Sequence, residues 1–361
     1  MLEHIFGYPI RQLPGPAESD CSIAAEGVFV PDLPDVVSRP GQISNARPEA
    51  PPAIIELCEL LTDYGTSPSR LSSAQSGAVS SLPDLERDVR VTFNVYQQGR
   101  FTSAASRASM LLADAQLAVR DCTSADRPRA QRILALSYQA VASVLAKVGQ
   151  SDLALLAAER GLNAAEVGGD PSVRASLIRC VAFTLHSTGR FESAMRLVES
   201  GADYLNSEAK INEAVPLSVY GTLFLVGSMA AARFGDSSRT GDYLREASGA
   251  ARRLGKDANH LWTAFGPTNV AIHRVNTSAE LGNFSAVLGS GLSLNTEAVP
   301  PERRVRYLLD VARVYGMTGR KDDALFTMLQ AERMAPDQVR QHYLSREVVT
   351  ALARRDRKAR Y

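Results

Sequence analysis

An all-α solenoid of about six stacked helical hairpins is the fold this sequence predicts, and three observations predict it. Apolar residues, mostly Ala, Leu and Val, fall at helical spacing through residues 82–361. Glycines recur between paired helical runs at Gly99, Gly149, Gly189, Gly235, Gly282 and Gly319, at intervals of 50, 40, 46, 47 and 37 residues, the internal periodicity of a repeat architecture. Small residues hold fixed places around those glycines. Five positions after them stand Ala104, Ala154, Ala194 and Ala324, and seven before them Thr92, Ala142, Ala182, Ser228 and Ala312. Helices that cross closely need both faces of the crossing thin. Thr240, Val275 and Val287 depart from this rule.

Taken in chain order, residues 1–10 form a short opening segment, MLEHIFGYPI, with neither a basic stretch nor a long apolar one. Residues 11–52 carry Pro14, Pro16, Pro31, Pro34, Pro40, Pro48, Pro51 and Pro52 among Gly and Ser, so regular helix cannot persist and a linker is expected. Residues 53–81 begin with an amphipathic run, Ala53 to Gly65, whose Ile54, Ile55, Leu57, Cys58, Leu60 and Leu61 make one broad apolar face. That run must dock on the body that follows, and a Ser-rich loop broken by Pro68 and Gly77 completes the segment. From Leu82 onward the hairpins run in series, and Pro336, seventeen residues after Gly319, closes the last of them. The sequence from His342 to Tyr361 reads as a terminal helix that caps the exposed apolar face of the stack, as solenoids require.

Composition narrows the function classes. Forty basic residues against thirty-nine acidic ones give a net charge of +1, which supplies no global pull toward nucleic acid or membrane. Cys21, Cys58, Cys122 and Cys180 lie far apart, without a Cys-x-x-Cys pair or a neighbouring His, so reduced thiols in a cytoplasmic protein are expected and no metal site. No stretch reaches the run of about 18 apolar residues that a membrane span needs. The five histidines, His4, His186, His260, His273 and His342, show no metal spacing, and no nucleophile elbow, zinc-protease motif or phosphate loop is present. The chain is therefore expected not to be an enzyme, with no catalytic residue and no cofactor.

The registers GRFESA from Gly189 to Ala194 and GRKDDAL from Gly319 to Leu325 resemble tetratricopeptide repeats. The stretches His260 to Phe284, Pro301 to Pro336 and Asp88 to Phe101 resemble one group more closely: bacterial XRE-type transcriptional regulators with a long C-terminal tetratricopeptide domain. That resemblance implies a helix-turn-helix, a Pro-rich linker and then the repeats. Only Leu2 to Tyr8 is similar to the last helix of a helix-turn-helix, so residues 1–10 read as its remnant. Direct DNA contact is accordingly not expected of this chain, because base readout needs a recognition helix.

In tetratricopeptide solenoids the first helix of each hairpin lines a concave groove through positions ten, six and three before the turn Gly, with neighbours at nine and thirteen. The third hairpin then contributes Arg179, Phe183 and His186, the fifth Asn269, Ile272, His273 and Asn276, and the sixth Arg306, Leu309, Asp310 and Arg313. Arg pairs carboxylates through two parallel bonds and Asn can fix a main chain. Asn269 and His273 stand one turn apart and share a face. Trp262 and Phe265 precede Gly266 and Pro267 at a helix start, where they either line the groove or pack on the next hairpin. The cations Arg354, Arg355, Arg357, Lys358 and Arg360 form a solvated tail. The expected function is a regulatory sensor of a ligand or peptide, acting on a protein or peptide partner, with a homodimer allowed. The alternative is an interaction scaffold that binds neither signal nor DNA.

Overall fold

The computed structural model describes residues 50–62, 80–342 and 344–350. The proposed helix-turn-helix remnant, nearly all of the linker, the Ser-rich loop and the basic tail lie outside the described residues. Everything described from Pro51 onward belongs to one compact unit. It is all α-helical, with one isolated antiparallel bridge, Ala258 to Phe265, among the described residues.

A first helix, α1 (Pro52–Thr62), is followed by α2 (Leu82–Gln97) and α3 (Phe101–Asp121), α4 (Arg127–Lys147) and α5 (Ser151–Gly168), and α6 (Pro171–Ser187) and α7 (Phe191–Glu208). Then come α8 (Ala214–Phe234) and α9 (Ser237–Leu254), α10 (Pro267–Glu280) and α11 (Phe284–Gly289), α12 (Pro301–Met317) and α13 (Lys321–Met334), and α14 (Pro336–Gln341). The six pairs from α2/α3 to α12/α13 are packed hairpins, and each connects through a turn glycine with positive φ, between 73° at Gly99 and 86° at Gly235. Glycine adopts that left-handed backbone without the steric cost other residues meet.

The small residues singled out around the turns are all buried: Ala104, Ala154, Ala194 and Ala324 on one side, Thr92, Ala142, Ala182, Ser228 and Ala312 on the other. Several helix starts carry side-chain caps. Ser81 accepts from the Asp84 N–H, Asp170 from Ser172 and Val173, and Asp236 from Arg239, which satisfies backbone donors that have no partner inside the helix. The helix α1 docks as its pattern predicts, but through a narrower face. Ile54, Leu57 and Leu61 are buried against α3 and α5, while Ile55 is exposed, because a helix lying on one groove covers only one stripe. Pro336 ends α13 as expected and also opens α14, occupying a first-turn position where its missing N–H costs nothing. Beyond it, the helical residues 344–350 bury Leu344, Val348 and Val349.

The centre of the unit is α8. It is apolar all round, so no one face can be chosen for burial, and α6, α7, α9 and α10 cover it. Among the described helices it alone is long and apolar enough to cross a membrane, and 83% of that apolar window is buried inside the fold. Its Gly221 admits the ring of Phe265, which is fully buried there. The last described hairpin region also reaches back to the first hairpin. Asp337 of α14 accepts from the Thr102 N–H at 2.7 Å and its hydroxyl at 3.1 Å, and the Gln338 amide donates to the Glu302 carbonyl at 3.0 Å.

Candidate functional site

The first helices of successive hairpins turn one face each toward a shared interior cleft. Its cavity volume is about 50 Å³, and the depression around it opens to solvent. Phe93 and Tyr96 come from α2, Gln139, Ser143 and Ala146 from α4, Arg179 and Phe183 from α6, Leu225 and Met229 from α8, and Asn269 and His273 from α10. These fall at the positions ten, six and three before the turn glycine, with the neighbours at nine and thirteen, that the repeat register marks. Counting back in the first, second and fourth hairpins, as in the others, would have named Phe93, Tyr96, Gln139 and Met229 from sequence.

Of the ten residues proposed from sequence, Arg179, Phe183, Trp262, Asn269 and His273 line this cleft. His186 is buried beside it, between the rings of Phe183 and Phe191, each 6.0 Å away. Burial holds its imidazole well below ordinary basicity, and Arg233 and Arg306 add to the effect. Phe265 is a core residue on α8 rather than a groove residue, because the backbone reverses between it and Trp262. Asn276, Arg306 and Arg313 join a buried network instead. The Asn276 amide donates to Asp310 at 3.1 Å, Arg306 pairs with Asp310 at 3.2 Å, and Arg313 reaches Glu280 at 3.2 Å and Glu347 at 3.3 Å. Burial raises the Asp310 carboxyl against the pull of Arg306, whereas Glu280 ends lowered because Arg233, Arg313 and Arg306 together outweigh its desolvation.

Sequence reasoning missed two further elements of the cleft, a charged cluster and a loop. Lys147 at the end of α4 pairs at 2.6 Å with Glu302 at the start of α12, which also meets Arg303 at 3.1 Å. Burial pushes the Glu302 carboxyl up, and Arg303 and Lys147 overcome that and hold it at about 2. Lys147 stands outside the groove register and Arg303 lies on the first turn of its helix, so no periodicity marks them.

The other element is the loop between α9 and α10, which crosses the interior to the first hairpin. Gln97 and Asn259 exchange amide hydrogen bonds at 3.0 and 2.8 Å, and Gln97 also donates to the Trp262 carbonyl at 3.0 Å. The Trp262 ring stacks on Phe93 with centroids 4.2 Å apart and an interplanar angle of 8°. Leu261, Trp262 and Ala264 all have φ between 45° and 54°, a region that costs residues with a side chain roughly 1–2 kcal/mol each. Asp257 anchors the far end by accepting from the Thr268 N–H at 3.0 Å and its hydroxyl at 2.7 Å.

Within the cleft several polar atoms have no partner. Asn269 is fully buried, and neither its Nδ2 nor its Oδ1 is hydrogen-bonded; Gln139 Oε1 and the Nε atoms of Arg179 and Arg303 are likewise unbonded. His273 Nδ1 lies 2.8 Å from the Asn269 carbonyl. A carbonyl only accepts, so Nδ1 carries the proton. Burial above all, with Arg303 and Arg306 adding to it, lowers the imidazole to about 3, which leaves it neutral with Nε2 as an acceptor. Neither the known protein-family models nor the curated proteins include a match to this chain.

Proposed function

We propose that this protein is a ligand-sensing regulator, a tetratricopeptide-like solenoid of the kind attached to XRE-type transcriptional regulators, whose interior cleft takes a small molecule or the end of a peptide and whose response is read by a protein partner in the cytoplasm. The observation that carries the reading is the set of unbonded polar atoms on Asn269, Gln139, Arg179 and Arg303 around one cleft. A buried polar group without a hydrogen bond costs about 1–3 kcal/mol, so several at one place are a liability to folding that a bound ligand would remove. Solenoids present such concave surfaces for binding, and a cleft with apolar walls and a few convergent polar groups is the usual form of a ligand site.

Thermal shift against fractionated small-molecule extract tests the reading, with an Asn269→Leu variant alongside. A fraction that stabilises the wild type and not the variant is expected, since a ligand bound at 100 times its Kd adds about 2.7 kcal/mol. Equal stabilisation of both proteins would remove the cleft as the site. A protein that co-elutes on size exclusion, with no fraction shifting the melting temperature, would favour the scaffold reading.

A further inference from the structure

We propose that the cleft binds a small organic carboxylate that carries a neutral hydrogen-bond donor beside its acid group and an apolar tail. The inference rests on the cleft being a ligand site and adds the chemistry of the ligand.

Charge comes first. Lys147 and Arg303 share the single carboxylate of Glu302. Arg179 adds a third cation, and among the described residues no carboxylate lies within ion-pair distance of it; one of its amino groups donates to the Cys180 sulfur at 3.5 Å. A guanidinium held without a counter-ion in a partly desolvated wall favours an anion, and its planar fork matches a carboxylate. His273 contributes no charge, being neutral, so the excess is not an artefact of counting an imidazolium.

The hydrogen-bonding groups narrow the class. Asn269 Nδ2 offers a donor that suits the same carboxylate, while Asn269 Oδ1, Gln139 Oε1 and His273 Nε2 are acceptors. Acceptors need a donor from the ligand. An ammonium would supply one but would meet three cations at close range, so a hydroxyl or an amide N–H fits and an amine does not. Beyond these groups the walls are Phe183, Val226, Met229 and the stacked Trp262, a surface for an aliphatic or aromatic tail. The strut from Gln97 to Asn259 runs across one side of the cleft, and the cleft's small volume suits a compact molecule over a long extended chain.

Three probes on one skeleton test this: 3-phenyllactate, its neutral amide and phenylalanine methyl ester, titrated against the full chain. Trp262 is the only tryptophan in the sequence and lies in the cleft wall, so its emission reports occupancy, with melting temperature as a second readout. The acid is expected to change both, the amide to bind at least tenfold more weakly, and the ester not at all. Arg179→Met is expected to abolish binding of the acid while leaving the melting temperature of the free protein unchanged or raised, because a half-buried cation without a carboxylate partner has been removed. Equal binding of acid and amide would overturn the anion inference and leave the cleft as a ligand site. So would an extract fraction that binds at Asn269 while none of the three probes does. A large fall in the melting temperature of the free Arg179→Met protein would show Arg179 to be structural and would equally overturn it.

Discussion

Gly221 shows what a single hydrogen does in this core. A Cβ there would stand 1.9 Å from the Phe265 ring, so the ring or the helix would have to shift. Gly221→Ala is expected to destabilise by about 1–3 kcal/mol through overpacking, measured as a lower urea midpoint with an unchanged slope; an unaltered midpoint would mean that Phe265 repacks freely. The sequence made Phe265 legible as a large apolar residue at a helix entrance but not as the partner of a glycine forty-four positions upstream. The groove register was more informative. Asn269, His273, Arg179 and Phe183 line one cleft because helical spacing fixes direction. Asn276, Arg306 and Arg313 follow the same spacing and yet face carboxylates: Asn276 and Arg313 meet Asp310 and Glu280 across the α10–α12 contact, and Arg306 meets Asp310 one turn along its own helix. Spacing chooses a face; what meets that face is a tertiary matter.

Among elements, the loop from Gly255 to Gly266 is the one that sequence describes least. Its glycines and Pro267 mark a break, but its anchor, the Gln97 to Asn259 amide pair, joins residues 162 apart in the chain. Three residues with side chains hold left-handed backbone in this short span. Ala264→Gly relieves roughly 1–2 kcal/mol of that strain and forfeits about 0.8 kcal/mol of methyl burial. Glycine's greater freedom in the unfolded chain costs a further ~0.5–1 kcal/mol, so the terms nearly cancel and a change under about 1 kcal/mol is expected by chemical denaturation. A fall well beyond that would show that the left-handed backbone is no strain on Ala264. Gln97→Leu leaves Asn259 and the Trp262 carbonyl without their donor and is expected to cost about 1–3 kcal/mol, with faster amide exchange at Ala264, whose N–H bonds to Asn259. The helices themselves were the easy part, since glycine turns, small crossing residues and proline starts all agree.

At the scale of the molecule, burial of histidines sets the response to acid. His186, His273 and His342 all have depressed basicity in the fold, caused first by desolvation and then by neighbouring cations. The unfolded chain, with ordinary values near 6.5, therefore takes up protons that the folded one refuses. Stability is full above that pH and is lost as pH falls toward 3, by at most about 1.4 kcal/mol per unit for each histidine. Glu302 adds its own loss only below about 4.5, while the raised Asp310 works in the opposite direction. Denaturation at pH 7.5 and 5.5 is expected to differ by up to about 4 kcal/mol, and less in a His273→Asn protein; identical curves would show that the imidazoles protonate inside the fold. The meeting of the ends through Thr102 and Asp337 was invisible in the repeat pattern, which specifies what each hairpin does to the next and not where the sixth arrives. That meeting limits how such a chain can change in evolution. A hairpin inserted or removed between α3 and α14 would part Asp337 from Thr102, so that contact ties the two segments together as a clasp does.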